Sequence, residues 1–166
     1  MQQSNAASAN DSLGRFPEIV ASNLENREFA LPSDFEGEWN IVLIGFAQEQ
    51  QRAMDTWLPA LRVIAQRSSR VRVYELPVAP NSARAFRWLI DGGMRMGIPD
   101  RGTREATITL YTDKRAFRSA LKIPDESRIY VMLVRRDGRV CWRTSGPFDR
   151  SSFVAMEKTI ASDSTR

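Results

Sequence analysis

Thiol chemistry in this sequence rests on one residue, Cys141, and imidazole chemistry is absent because the chain has no histidine. One cysteine forms no intrachain disulfide, and without histidine there is no His-based metal site, catalytic triad or imidazole proton shuttle. Cys141 stands in the run RVCWRT at 139–144. In a strand of period two it shares a face with Arg139 and Arg143, while Val140 and Trp142 share the other. Flanking cations lower a thiol pKa and raise its reactivity. A mid-strand cysteine, however, lacks an activating helix N-terminus, and no second cysteine is present to resolve an intermediate. A packed, unreactive thiol is expected; the opposing reading is a one-cysteine thiol peroxidase or reductase using Cys141.

The stretch DGGMRMGIPDRGTR at 91–104 has the most unusual composition. It reads as a loop in which Gly92, Gly93, Gly97 and Gly102 give backbone freedom while Arg95, Arg101 and Arg104 supply cations. Exposed backbone N–H groups beside arginines suit a phosphate, a carboxylate or an acidic partner surface, so an anionic small ligand is a candidate here. The opposing reading pairs these arginines with Asp91, Asp100 and Glu105. The spacing matches neither a P-loop nor a dinucleotide fingerprint. No Asp/Glu pair stands out for glycosidase-type acid/base work. Neither a metal nor a cofactor is implied.

The elements that must position these residues come from 166 residues, 42% hydrophobic and 27% charged, which make one globular domain. Such a chain buries roughly 70% of its unfolded surface and needs no staple. No run approaches ~20 apolar residues, so no transmembrane helix is expected. The opening residues lack the basic and apolar regions of a signal peptide. A cytoplasmic location is expected, with the cell envelope or mitochondrial matrix left open for a chain whose targeting segment has been removed. Residues 1–50 carry two basic and eight acidic side chains, residues 51–166 carry 22 and 12. That basic excess lacks any nucleic-acid word, and most arginines have acidic neighbours, so solvated surface explains it and nucleic acid is not the expected partner. Trp57, Trp88, Phe86 and Phe117 fall on apolar stripes where core packing accounts for them.

Residues 1–15 read as a mobile tail, and 16–166 as the single domain. Phe16 to Gly37 is loop-like, anchored by Phe29 and Leu31. WNIVLIGF at 39–46 is the run of a strand buried on both faces. Met54, Trp57, Leu58, Leu61 and Ala65 give 48–66 one helical stripe, interrupted by Pro59, which should kink it. Strands follow at 71–78 and 106–111. Asn81 or Ser82 could cap a helix to about Ile90, with Phe86, Leu89 and Ile90 facing inward, before Gly92 and Gly93 break it. Thr112 or Asp113 could cap a short helix containing Phe117, Ala120 and Leu121. Runs 128–135 and 139–144 around Asp137-Gly138 predict a hairpin. Asp149 opens a last helix with Phe153, Met156 and Ile160 on one face. The alternation implies an α/β sandwich, parallel first and antiparallel at the end.

That order, with these words in it, resembles the thioredoxin-like superfamily in its redoxin/peroxiredoxin-type variant. The likeness runs from NLENREFALPSDFEGEWNIVLIGF (23–46) through the Pro-containing helix 48–66 and ATITLYTDKRAFRSALKIP (106–124) to YVMLVRRDGRVCWRTSG (130–146). It implies a three-layer sandwich, a mixed central sheet with helices on both faces, and an opening hairpin before the first buried strand. The departures concern chemistry. The family's two dithiol positions fall on Gln51 and Met54. Its cis-proline position falls on Ile129, since Pro124 lies too far upstream, and a non-proline cis bond costs ~2.5–4 kcal/mol, so Ile129 is expected to be trans. Gln48, Glu49, Gln50 and Gln51 then fill the former redox site at a helix N-terminus, where Gln48, Gln50 and Gln51 could hydrogen-bond a peptide backbone.

A narrower likeness is to the mitochondrial ATP-synthase assembly-factor family, whose domain is a thioredoxin fold without a dithiol. It rests on the Ile123-Pro124…Tyr130 region and the closing pattern YVxLV…GRVxW before an acidic helix. The resemblance implies a redox-inactive binding, chaperone-like or assembly module with a protein partner.

Overall fold

The computed structural model describes residues 12–163. The side chains of residues 85–89, among them the expected apolar Phe86, Trp88 and Leu89, lie outside the described residues, as do residues 1–11. A hairpin of β1 (Ile19–Asn23) and β2 (Glu28–Leu31) opens the fold, followed by β3 (Trp39–Gly45) and helix α1 (Gln51–Arg67). Next come β4 (Val71–Pro80), α2 (Arg87–Gly97), α3 (Arg101–Ala106) and β5 (Ile108–Thr112). Helix α4 (Lys114–Ala120), β6 (Tyr130–Val134), β7 (Val140–Ser145) and α5 (Arg150–Asp163) complete the chain. The strands form one sheet in the order β2-β1-β5-β4-β3-β6-β7. β3, β4 and β5 run parallel; β6, β7 and the opening hairpin are antiparallel to their neighbours. This is the mixed, helix-covered sheet of a thioredoxin-like sandwich.

Every residue of β3 is buried, because the strand is sandwiched between two apolar layers. Ile41 and Leu43 face a cluster with Met54, Trp57 and Leu61 of α1 and Met156 of α5. Val42 and Ile44 face the other cluster, with Phe117 and Leu121 at α4 and Phe29 and Leu31 of β2. The helix starts follow local chemistry: Asp113 accepts from Ala116 N at 3.0 Å and Asp149 from Ser152 N at 2.9 Å.

Three expectations need correction. Phe16 to Gly37 is not a loop but contains the hairpin β1–β2, as the superfamily likeness implied. Of the tail expected over 1–15, residues 1–11 lie outside the described ones, and its end is bonded to the domain: Arg15 N donates to Ala120 O, Phe16 N to Gly138 O, and Arg15 bridges Arg139. The third is the 91–104 loop, most of which is helical. A turn of 3₁₀ helix at Asn81–Phe86 leads into α2, which runs through Gly92 and Gly93. Each helix-interior glycine costs about 1 kcal/mol relative to alanine, and tertiary contacts offset it. Asp91 is buried and accepts from the Tyr111 hydroxyl at 2.9 Å, while Arg95 Nε donates to Leu24 O at 2.7 Å. The helix stops at Pro99, which disfavours helical backbone at Ile98. Asp100 then caps α3 by accepting from Thr103 N.

The predicted hairpin forms, with Gly138 at φ +87. A Cβ there would sit 2.8 Å from Phe16 O, so glycine is required both by backbone handedness and by the close approach of the N-terminal segment.

Candidate functional site

The turn at which the superfamily likeness places a dithiol lies where β3 ends at Gly45 and α1 begins. Ala47 offers no side-chain cap, so glutamines do the local work. Gln50 Oε1 accepts from Phe46 N at 2.8 Å, and Gln50 Nε2 donates to Glu126 O at 2.6 Å. Gln50 therefore ties the start of α1 to the loop before β6, and its hydrogen-bonding groups are engaged inside the chain. Gln51, expected at the first dithiol position, donates from Nε2 to Asp55 Oδ1 and to Glu75 Oε2, both at 2.9 Å. Met54, expected at the second position, is 3% exposed and packs among Trp57, Leu61 and Leu43. Ile129 is fully buried in the same cluster, and among the described residues the cis peptide bond is Leu31–Pro32, so Ile129 is trans. Gln48 and Glu49 remain exposed.

Glu75 is the member of this site that sequence reasoning missed. It is 6% exposed in the middle of β4. Burial pushes its pKa up; the Gln51 hydrogen bond works against this, nearby Asp55 adds to the rise and Arg62 opposes it. The signal in the sequence was a single acid inside VRVYELPV, a run otherwise fit for a buried strand.

Cys141 lies on the edge strand β7, outside the turn that opens α1. The expectation that it faces away from Trp142 is overturned by a β-bulge. Leu133 pairs with Trp142 but Val134 pairs with Val140, so Cys141 is the extra residue. Cys141 and Trp142 both pack against the α1/α5 cluster, whereas Val140 belongs to the opposite one. Arg143 also leaves Cys141's face: its guanidinium donates to Leu13 O and Leu121 O across the sheet. Burial raises the Cys141 thiol pKa, and the charges of Arg139 and Arg135 only moderate that rise.

Two of the three arginines of 91–104, Arg95 and Arg104, fasten the opening hairpin to the helices. Arg104 Nε pairs with Glu25, and its NH1 donates to Ile98 O and Pro99 O. Arg95 reaches Leu24 O as described above. Arg101 pairs along its own helix with Glu105 at 2.8 Å and has a side chain 77% exposed. Their partners are thus Leu24, Glu25, Ile98, Pro99 and Glu105, and of the carboxylates expected from sequence, Glu105 alone is among them.

The comparisons with known proteins enter here. The model of the family described as ATP10 protein matches residues 5–162. This chain belongs to the ATP10 family. The likeness to ATP-synthase assembly factors is thereby shown at the level of the family, which brings an assembly-type role on a thioredoxin-like fold. A comparison with curated proteins finds no match. Among solved structures, similar ones include BsSco, a member of the Sco family of cytochrome c oxidase assembly proteins, at TM-score 0.60 and 12% identity, covering 94% of this chain and 97% of that one. ScoI of Arabidopsis thaliana with copper bound superposes at TM-score 0.57 and 13% identity over 91% and 99%. The exposed lipoprotein thioredoxin Etrx1 of Streptococcus pneumoniae TIGR4 does so at 0.57 and 12% over 86% and 98%. At such identities they are similar in fold. A copper site does not fit the residues here: the chain has no histidine, and its one cysteine sits in β7 and at neither Gln51 nor Met54. Among the described residues no helix is long and apolar enough to cross a membrane.

Proposed function

We propose that this chain is a redox-inactive, chaperone-like assembly module that docks a protein partner on the turn opening α1. The observation that carries this reading is the pair of side chains at the dithiol positions. Gln51 is occupied by Asp55 and Glu75, and Met54 is sealed in the core, so neither position can hold an electron pair as a dithiol. What the turn offers to solvent is Gln48, Glu49 and Arg52, together with the exposed part of Gln51. Phe148 borders it, because its backbone N–H donates to Thr56 Oγ1 of α1 and its ring stays partly exposed. An amide, both charge signs and one ring suit hydrogen bonding to a peptide chain with an aromatic contact. The assembly role printed for the BsSco family is consistent with this use of the fold. Arg101 is the arginine of 91–104 left for a second contact or an anionic ligand, since Arg95 and Arg104 are engaged internally.

The competing reading, a one-cysteine thiol peroxidase or reductase, draws on the positive charges of Arg135 and Arg139 near Cys141. Assays of peroxide consumption and insulin disulfide reduction separate the two. No turnover above that of Cys141→Ser is expected, and turnover lost in Cys141→Ser would replace the binding reading with the enzymatic one. Docking itself is tested by a photo-crosslinker at position 48 against one at position 18, on the opening segment. Adducts specific to position 48 are expected, and equal labelling at both sites would refute the assigned surface.

A further inference from the structure

The sheet has two edge strands, β2 and β7, and treats them differently. In the β1–β2 ladder Asn23 N donates to Arg27 O, and the antiparallel alternation then turns the N–H and C=O groups of Glu28 and Ala30 outward. Ala30 is closed: its N–H donates to Asp34 Oδ2 at 2.7 Å, and its C=O accepts from Asp34 N and Ser33 Oγ. At the opposite edge Gly146 N donates to Ile129 O, so Trp142 and Thr144 face β6 while the backbone groups of Arg143 and Ser145 turn outward. Among the described residues nothing bonds to those outward groups. The N-terminal segment meets the strand at the Arg15–Arg139 bridge and turns off at Gly14, with φ +95, so that Leu13 packs under the sheet. Beyond Ser145 the chain bends toward α1, where Gly146 O accepts from Trp57.

We propose that the outer edge of β7 is a docking surface for an extended, acidic segment of another protein, which pairs with Arg143 and Ser145 and adds an eighth strand to the sheet. Main-chain bonds to the open groups supply the attachment, and charge selects the occupant. Arg139 stands at the start of β7, and its Nε–H is buried without a partner. Arg128 lies two residues before Tyr130, the partner of Ser145, and Arg150 two residues before Ser152, whose hydroxyl meets that of Thr144. None of these three arginines forms an ion pair among the described residues. The acids beside them, Asp125, Asp137 and Asp149, accept from the backbone N–H groups of Ser127, Arg139 and Ser152. A second copy is a poor occupant. Two β7 strands joined about a two-fold axis would set these cations against their own copies. A head-to-tail stack would match charge, since β2 carries Glu28 with Asp34 beside it, but the closed Ala30 blocks that edge. The surface does not depend on the docking turn at α1.

NMR of the ¹⁵N-labelled full chain tests both the edge and its occupant. Without a partner, the amides of Arg143 and Ser145 should exchange with water at least about tenfold faster than those of Trp142 and Thr144, which are bonded to β6. The probe is a short peptide alternating glutamate with valine and blocked at both ends, with lysine in place of glutamate in the control. The glutamate peptide should shift the Arg143 and Ser145 amides, slow their exchange and bind more weakly as salt is raised. S145P removes an outward N–H and spares the bonds to β6, so it should cost about tenfold in affinity. Arg139→Glu leaves the backbone unchanged and should weaken binding too, which keeps the test decisive if the proline variant folds poorly. Slow exchange at Arg143 and Ser145, no binding of the glutamate peptide, or equal binding of both peptides would overturn the proposal. So would a wild-type dimer that S145P dissociates, which would give the edge to a second copy. Shifts confined to residues 47–52 would sink this inference and leave the proposed function standing.

Discussion

Cys141 lies on the same side of the sheet as its sequence neighbour Trp142, because the bulge opposite Leu133 and Val134 inserts one residue into β7. The bulge takes the thiol away from Arg143 and lays it against the layer that contains Trp39 and Leu133. It decides how the thiol should behave. Labelling by a disulfide reagent at mildly alkaline pH should be slower in the folded chain than in urea, since burial disfavours the thiolate. Cys141→Ser should lower the unfolding midpoint more than it changes any activity. Equal labelling rates in folded and unfolded chains would sink the packed-thiol reading.

Trp57 is fully buried at the centre of α1 and makes edge contacts with Trp142 and Phe148, at 6.4 and 5.2 Å between ring centroids. Its indole N–H donates to Gly146 O at 3.0 Å, which holds the loop after β7 against the helix. Trp57→Ala should cost about 3–5 kcal/mol in urea denaturation, and Trp57→Phe the smaller part associated with one hydrogen bond, about 1 kcal/mol, plus lost packing.

Arg104 and Arg101 should separate cleanly under mutation. Arg104→Ala removes the tie between Glu25 and the α2–α3 junction and should cost about 1–2 kcal/mol, with faster proteolysis near residue 98. Arg101→Ala breaks an exposed pair within one helix and should change stability by less than about 0.5 kcal/mol. If Arg101→Ala instead abolishes binding of an anion or a partner, that side chain is the contact.

On the acid side, Glu38 is hydrogen-bonded first by Arg70 and then by Arg135, which lowers its pKa to about 2. Asp149, capping α5 through Ser152, is likewise held at about 2. Both groups bind protons more weakly when folded, so their contribution is present above the ordinary carboxylate range and is lost as pH falls toward about 2. Glu38→Gln should flatten the low-pH limb of the stability curve. Glu75 has the opposite sign: its contribution is present at low pH and is lost as pH rises through its raised folded value.

Gly138→Ala tests the hairpin turn. The left-handed backbone alone costs an alanine about 1–2 kcal/mol, and the contact with Phe16 O adds to it. A variant as stable as the wild type would mean the N-terminal segment does not cross at that point.

Much of this architecture is written in local pattern. The unbroken apolar run of β3, the Asp137-Gly138 turn and the capping aspartates at 113 and 149 each act through neighbours in sequence. So do the replacements at Gln51, Met54 and Ile129, once the superfamily likeness locates those positions. What escapes is set by contacts distant in sequence. A helix through Gly92 and Gly93 exists because Asp91 and Arg95 reach Tyr111 and Leu24. The bulge that turns Cys141 leaves no trace in a two-residue period, since it depends on how β6 counts against β7. Glu75 is conspicuous in its strand, but only the fold brings Gln51 and Asp55 to it.

The N-terminal segment has a consequence for synthesis. Arg15 donates to Asp137 O across 122 positions, Arg143 to Leu13 O across 130, and Phe16 N to Gly138 O. A chain emerging from the ribosome exposes Leu13, Phe16 and the opening hairpin early, yet the hairpin β6–β7 that receives them is made almost last. Phe16 finds Phe35 and Phe117 earlier, but its backbone bond and those of Arg15 and Leu13 wait for that hairpin, so the N-terminal segment is fastened only in a late, long-range step.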